Sequence, residues 1–208
     1  EGNIETECFN AYGVNVHFKG EVIHLGSARG QLINAVTMAG KFLGMLPQSE
    51  SPESTDGRFG YYCPLEIHGS LDSAVLEIYL RDFELTEIER RIEALKRMAA
   101  AVEAIFPGGT VTLDIQKQYL NMREHMKKEP RGMELLLDSC RNVGVEPEMH
   151  IIRGGTDGAK LSEMGIPTPN IFVGGSNFHS RFEWVSLESM TKASRVVANL
   201  VMAWGKER

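Results

Sequence analysis

Cysteine is scarce in this chain: Cys8, Cys63 and Cys140 are the only three in 208 residues. The number is odd, the spacing is wide and no CxxC pair occurs. A disulfide framework and a cysteine-rich zinc site are thereby excluded, and reduced thiols in a cytosolic protein are expected. Basic charge is in deficit, with 22 Lys and Arg against 28 Asp and Glu and a formal net charge of −6. An acidic chain without a basic stripe excludes nucleic acid and anionic membrane surfaces as partners. Long hydrophobic runs are missing as well, none approaching the roughly 18 residues of a membrane span. The opening Glu1-Gly2-Asn3-Ile4-Glu5 carries neither the basic nor the apolar region of a secretion signal, so a cytoplasmic location is expected. What is present is ordinary globular stock, 42% hydrophobic and 24% charged. That is enough chain for one large domain or two small ones.

The patterning divides the chain. Tyr12, Val14, Val16 and Phe18 alternate with Gly13, Asn15, His17 and Lys19, the period of a strand with one buried face. Gly26 to Gly30 reads as a tight loop. From Gln31 to Leu46, Leu32, Val36, Ala39, Phe42, Leu43 and Leu46 recur at helical spacing until Pro47. A polar, exposed loop from Gln48 to Gly57 precedes strands at Phe59 to Gly69 and Ala74 to Phe83. Thr86 with Glu89 forms a capping box opening a helix to about Phe106, with Ile88, Ile92, Leu95, Ala99 and Val102 on one face. A strand from Thr110 to Tyr119 completes β-α-β-β-α-β, the ferredoxin-like order: an antiparallel sheet with two helices on one face. Beyond it come a helix from Arg131 to Val143, a strand from Met149 to Arg153, and a short helix from Asp157 to Met164. A strand from Thr168 to Val173 and a long helix from Ser186 to Trp204 follow. This α-β-α-β-α order is half of a layered α/β domain, with too few strands for a balanced sheet. The fold class is α/β, with an α+β domain in its first half.

Three clusters can carry chemistry. Ile152-Arg153-Gly154-Gly155-Thr156-Asp157-Gly158-Ala159 runs from strand through a glycine-rich turn into a helix, where backbone N–H groups approach a ligand closely and Arg153 can grip a carboxylate. Asp157 either serves this site or simply caps the helix. Gly174-Gly175-Ser176-Asn177-Phe178-His179 follows an apolar strand, where α/β folds place their sites. His179 is a metal-ligand candidate, but no carboxylate or second His lies at ligand spacing. His24, in a glycine-bounded loop, is either a donor to a developing oxyanion or a half-buried His bonded to a backbone carbonyl. Arg81 ends an apolar strand beside Asp82, which allows a plain surface ion pair. Asn121-Met122-Arg123-Glu124 reads as a hinge.

Taken together these runs resemble the M20 family of zinc peptidases, in particular the C-terminal part of its tripeptide aminopeptidases. The resemblance rests on Ile152 to Ala159, Met164-Gly165-Ile166-Pro167, Pro169 to Phe172 and Gly174-Gly175-x-Asn177-x-His179. Phe9-Asn10-Ala11, Val22-x-His24-x-Gly26-x-Ala28-x-Gly30, Asn34-Ala35, Glu50-Ser51-Pro52-Glu53, Arg81-Asp82-Phe83 and Asn121 to Glu124 follow the family order over nearly the whole chain. It implies a lid or dimerisation domain at 10–120, inserted into a catalytic domain whose C-terminal part is 121–208. Residues 1–9 would then end an upstream segment of that domain. The family's other metal ligands and its Glu general base precede the lid and are not in this sequence. The resemblance makes His179 a zinc ligand of a two-ion site and His24 the catalytic donor to the scissile carbonyl. It makes Arg81, Arg153, Gly155, Thr156 and Asn121 the substrate contacts. The implied activity is release of the N-terminal residue from tripeptides, by a protein that pairs through its lid and of which this chain alone is inactive. Ser180-Arg181-Phe182-Glu183 departs from the family's Gly, basic residue and His before Glu, and Leu25 stands where Pro or Ala is commoner. A non-catalytic dimerisation protein and another M20-type dipeptidase or aminoacylase are the alternatives.

Overall fold

The computed structural model describes residues 1–206; residues 207–208, the end of the expected 121–208 segment, lie outside the described residues. The chain forms two compact units, one of residues 9–120 and one made of Glu1–Cys8 with the described chain from Asn121 onward. In chain order the first element is β1 (Asn3–Cys8), which belongs to the second of these.

The 9–120 unit contains β2 (Asn10–Lys19), α1 (Ala35–Leu43), β3 (Tyr61–Gly69), β4 (Ser73–Asp82), α2 (Leu85–Ile105) and β5 (Thr110–Tyr119). The sheet order is β3-β4-β2-β5 and every pair is antiparallel, as the ferredoxin-like order requires. Val14 lies opposite Ile78 and Ile115, and Val16 opposite Leu76 and Leu113. With Phe18 and Leu80 these residues form the buried face, covered by Met38, Ala39 and Phe42 of α1 and Ile88, Leu95 and Val102 of α2. Phe18 and Phe42 meet edge to face at 5.6 Å, a geometry the ring quadrupoles favour.

Three local expectations give way to tertiary structure. The first helix starts at Ala35 rather than Gln31, because Ile33 is drawn into a bridge with Glu21 and Asn34 caps the helix by accepting from the Thr37 N–H at 3.2 Å. It ends at Gly44, before Pro47, and Val36 faces solvent. The Thr86–Glu89 capping box is not formed. Thr86 lies inside α2, and Asp82 Oδ1 takes the Glu84 N–H at 2.9 Å. Arg91 occupies the buried stripe of α2, its guanidinium bonded to Asp82 at 2.7 Å and Glu50 at 3.0 Å. The polar loop after Pro47 is therefore tied to α2 through Glu50, which also meets Arg90 at 2.9 Å.

The other unit contains β1, α3 (Arg123–Met126), α4 (Pro130–Asn142), β6 (Glu148–Ile152), α5 (Asp157–Glu163), β7 (Asn170–Ile171), β8 (Gly175–Ser176), β9 (Trp184–Val185) and α6 (Leu187–Lys206). Its sheet runs β6-β1-β7, with β1 parallel to β6 and antiparallel to β7. Residues 1–9, read from sequence only as the end of an upstream segment, thus supply the middle strand. The expected strand from Thr168 to Val173 shrinks to two residues, and β8 and β9 form a short hairpin that periodicity did not show. Ile4 packs with Leu136 and Cys140 of α4, Phe172, and Ala193 and Val196 of α6. Alternation along β1 turns Asn3 and Glu5 to the opposite face. Among the described residues no helix is long and apolar enough to cross a membrane.

Candidate functional site

A cavity of about 460 Å³ lies in the unit built on β1. Asn3 and Glu5 of β1 line it, together with Gly155 and Thr156 after β6, Gly174 and Gly175 after β7, and His179. The turn after β6 and the loop after β7, with β1 from the other end of the sequence, are thus brought to one place. Thr156 caps α5 by position, yet its side chain makes no capping bond, and its buried Oγ1 has no hydrogen-bond partner. A buried hydroxyl left so costs about 1–3 kcal/mol. Asp157 is not the cap but the first helical residue, where its charge suits the helix N-terminus. Arg153 is half-buried at the end of β6.

His179 sits in the loop of the β8–β9 hairpin, which pairs Gly175 with Val185 and Ser176 with Trp184. Its φ is 65° and that of Asn177 is 57°. Non-glycine residues in this left-handed region cost about 1–3 kcal/mol and are held there only by their surroundings. Those surroundings are local. The His179 N–H donates to the Glu183 carboxylate at 3.2 Å, Asn177 Nδ2 donates to Phe182 O at 3.3 Å, and Ser180 N–H donates to Asn177 O at 3.0 Å. Glu183, in the run that departs from the family pattern, therefore holds the loop that presents the imidazole. Gly174 (φ 80°) is required where the loop leaves β7, since a Cβ there would stand 2.2 Å from Ser189 Cβ.

The donor set can be tested against a metal. Among the described residues no three His, Cys, Asp or Glu side chains gather as a metal-binding group. His179 lines the cavity with one exposed imidazole, so the described residues offer at most one such ligand there and no complete centre.

In the 9–120 unit, His24 is exposed and its Nδ1 accepts from the Gly26 N–H at 3.1 Å. The half-buried alternative, with the ring bonded to a backbone carbonyl, does not hold. Arg81 is only 7% exposed. Its Nη1 donates to Tyr12 O at 3.1 Å and Leu80 O at 2.9 Å, and its Nη2 donates to Gln118 Oε1 at 2.9 Å. The guanidinium lies 4.4 Å from the Tyr79 ring centre and 5.8 Å from that of Tyr119. The surface ion pair with Asp82 is not made, since Asp82 serves Arg91 instead. Arg81 is thus a buried cation met by neutral oxygens and rings, an arrangement that an anionic ligand would balance.

Asn121 is committed within the β1 unit. Its Oδ1 accepts from the Cys8 and Arg123 N–H groups at 3.2 and 3.0 Å, and its Nδ2 donates to Glu7 Oε1 at 3.2 Å. It joins β1 to α3, whose Arg123 meets Glu7 at 3.1 Å. Burial pushes the Cys8 thiol up from its ordinary value, which suits an inert core residue. Asn3 and Glu5 were missed as cavity residues. The alternation of Ile4 and Cys8 with Glu5 and Glu7 was the available signal.

A family model described as the peptidase dimerisation domain of the M20 peptidases matches residues 6–110, just over half of the chain. The chain belongs to the M20 peptidase dimerisation-domain family. Its curated M20 relatives include peptidase T of Geobacillus thermodenitrificans, 39% identical over 200 residues, which are 96% of this chain and 49% of that protein. Peptidase T of Clostridium perfringens is 39% identical over 206 residues, 99% of this chain and 51% of the relative. The chain spans about half the length of the curated relatives it matches. Among solved structures, a tripeptidase from Staphylococcus aureus superposes with a TM-score of 0.78 at 17% identity, over 96% of this chain and 52% of that one. Aminopeptidase PepT from Bacillus cereus gives 0.75 at 20% identity, over 96% and 53%. The YXEP protein of Bacillus subtilis, described as a dinuclear metal-binding peptidase of the M20 family, gives 0.65 at 15% identity, over 96% and 52%. At these identities the superpositions speak for the fold.

Proposed function

We propose that this chain is the lid and C-terminal catalytic part of a zinc-dependent tripeptide aminopeptidase that acts as a homodimer. The observation that carries the reading is the collinear identity with peptidase T over 96% of the chain. The cavity that gathers Gly155, the unpartnered Thr156 hydroxyl and His179 supports it. In this reading 10–120 is the lid, and 1–9 with 121–208 belongs to the catalytic domain. His179 gives one imidazole to a two-zinc centre whose other ligands lie outside these 208 residues. A zinc centre held in part by His179 would supply Lewis-acid polarisation of a carbonyl and a hydroxide near neutral pH.

The chain's own residues bind and orient. The Thr156 hydroxyl and the backbone at Gly155 hold polar groups of the peptide, and Arg153 and Arg81 take carboxylate or carbonyl oxygens. Arg81 is suited to this because its charge has no carboxylate partner in the bonds it makes. The Nε2–H of His24 donates to the carbonyl oxygen as that oxygen takes on negative charge, a contribution of about 3–4 kcal/mol. Asn121 acts through β1 and α3 rather than on the peptide, its amide being spent on Cys8, Arg123 and Glu7.

The test is made on the longer polypeptide that contains this chain. Tripeptide hydrolysis should require stoichiometric metal and stop on chelation, and the 208 residues alone should not hydrolyse peptides. His24→Ala should lower kcat about 100- to 1000-fold with metal content unchanged. A dimer with no metal and no hydrolysis would instead establish the non-catalytic alternative. A panel of tripeptides, dipeptides and N-acyl amino acids separates a tripeptidase from a dipeptidase or aminoacylase.

A further inference from the structure

The excursion between β2 and α1 closes on itself. Glu21 and Ile33 exchange both backbone hydrogen bonds, at 2.9 and 3.0 Å. A Cβ on Gly20 would stand 2.0 Å from Ile33 O, so glycine is what lets the two ends meet. Above this pinned stem the chain makes a single 3-10 turn, Leu25–Ser27, and His24 is its N-cap. The turn is bonded to His24 at three points. Ser27 N–H donates to His24 O at 2.9 Å, Ser27 Oγ donates to the same oxygen at 3.2 Å, and Gly26 N–H donates to His24 Nδ1 at 3.1 Å. The imidazole also lies against the bare Cα of residue 26. A Cβ built there comes within 3.0 Å of His24 Cε1 and 3.2 Å of Nδ1, closer than ordinary contact.

An amide N–H can only donate, so Nδ1 must present its lone pair, and the single proton of the neutral ring then sits on Nε2. We infer that Gly26 is a positioning residue for His24: its amide fixes the Nε2–H tautomer, and its missing side chain lets the ring settle over the turn with that N–H as the free end. The inference rests on the reading of His24 as the donor to the substrate carbonyl. The wrong tautomer would offer a lone pair to an oxygen that is gaining negative charge. Fixing the tautomer before the peptide binds leaves no proton to be moved at the moment of reaction.

The decisive measurement is nitrogen NMR of the 15N-labelled 208-residue chain without ligand. A scalar coupling across the N–H···N bond between Gly26 N and His24 Nδ1 is expected, and long-range proton–nitrogen correlations should show the proton on Nε2. Gly26→Pro removes the donor, and the ratio of Nδ1–H to Nε2–H ring should rise about fivefold, the shift that one ordinary hydrogen bond produces. Gly26→Ala keeps the N–H but adds the crowding Cβ, so the coupling should weaken even if the proline variant folds poorly. Leu25→Ala should change neither. In the longer polypeptide, Gly26→Ala should lower kcat severalfold while KM and metal content stay put. Absence of the coupling, or an Nδ1–H ring in the unaltered chain, overturns the role of Gly26 while leaving His24 as donor if His24→Ala still cripples kcat. An intact coupling with unchanged kcat in His24→Ala overturns both, since the positioned donor then has no task.

Discussion

The two units differ in how much of their apolar surface they cover by themselves. The 9–120 unit buries a continuous core between a four-stranded sheet and two helices. The unit built on β1 buries a smaller cluster, centred on Ile4, Cys140 and Val196. Its long helix α6 leaves Leu187, Val201, Met202 and Trp204 exposed, Met164, Ile166 and Phe182 are exposed outside the strands, and Trp184 is exposed on β9. The 9–120 unit also exposes apolar residues, Phe59 and Leu25 among them, but fewer for its size. The difference teaches where each kind of information resides. A closed sheet-and-helix layer specifies itself, whereas the unit built on β1 takes its middle strand from one end of the sequence and the rest from the other.

That contrast can be broken or sharpened experimentally. The largest effect should come from dissection: residues 9–120 expressed alone should unfold cooperatively in urea, and the remaining described segments joined by a linker should not. Cooperative unfolding of both pieces would erase the distinction. Next is Arg91→Ala, which strands Asp82 and Glu50 beside α2. Removing one partner of a buried pair costs about 3–5 kcal/mol, and urea melts should show the loss in the 9–120 transition alone. A loss below 1 kcal/mol would mean the pair is solvated. Ile4→Ala should cost about 2–3 kcal/mol, confined to the signal of the β1 unit and followed by tryptophan fluorescence, since Trp184 and Trp204 both lie there. The smallest effect is alkaline. Burial raises the Cys8 thiol above its ordinary 9.0, so the unfolded chain loses that proton first. The stability it lends is full below pH 9 and declines as pH rises beyond it. Cys8→Ala should flatten that decline in the β1 unit, and an unchanged slope would assign it to other groups.

Much of the fold was legible because local periodicity and tertiary burial agree. Val14, Val16 and Phe18 alternate in the sequence and are buried in the sheet. Where the two disagree, pattern reading fails for identifiable reasons. Leu32 continues a helical spacing, but Ile33 next to it is claimed by Glu21 across the loop. Arg91 lies on the apolar stripe of α2 and looks like an interruption until Asp82 and Glu50 are seen beside it. β1 has one short alternation and its partners are more than a hundred residues away, so no local window reveals it. At the candidate site, the glycine-rich turn and His179 could be picked out from residue types alone. The unpartnered Thr156 hydroxyl, the grip of Glu183 on the His179 loop and the Gly26 amide on His24 could not, because each is a relation between atoms and not a motif.

The placement of β1 ahead of the inserted unit has a consequence for how the polypeptide comes off the ribosome. β1 is made before both of its neighbours, since β6 and β7 are not available until the chain has passed Glu148 and Asn170. At ordinary synthesis rates that wait is on the order of ten seconds, ample for a small domain to fold as a unit. The inserted domain can therefore be complete while Ile4 and Cys8 are still unpaired, and by holding Phe9 and Leu120 within one folded body it shortens the loop that must close before β1 finds β6.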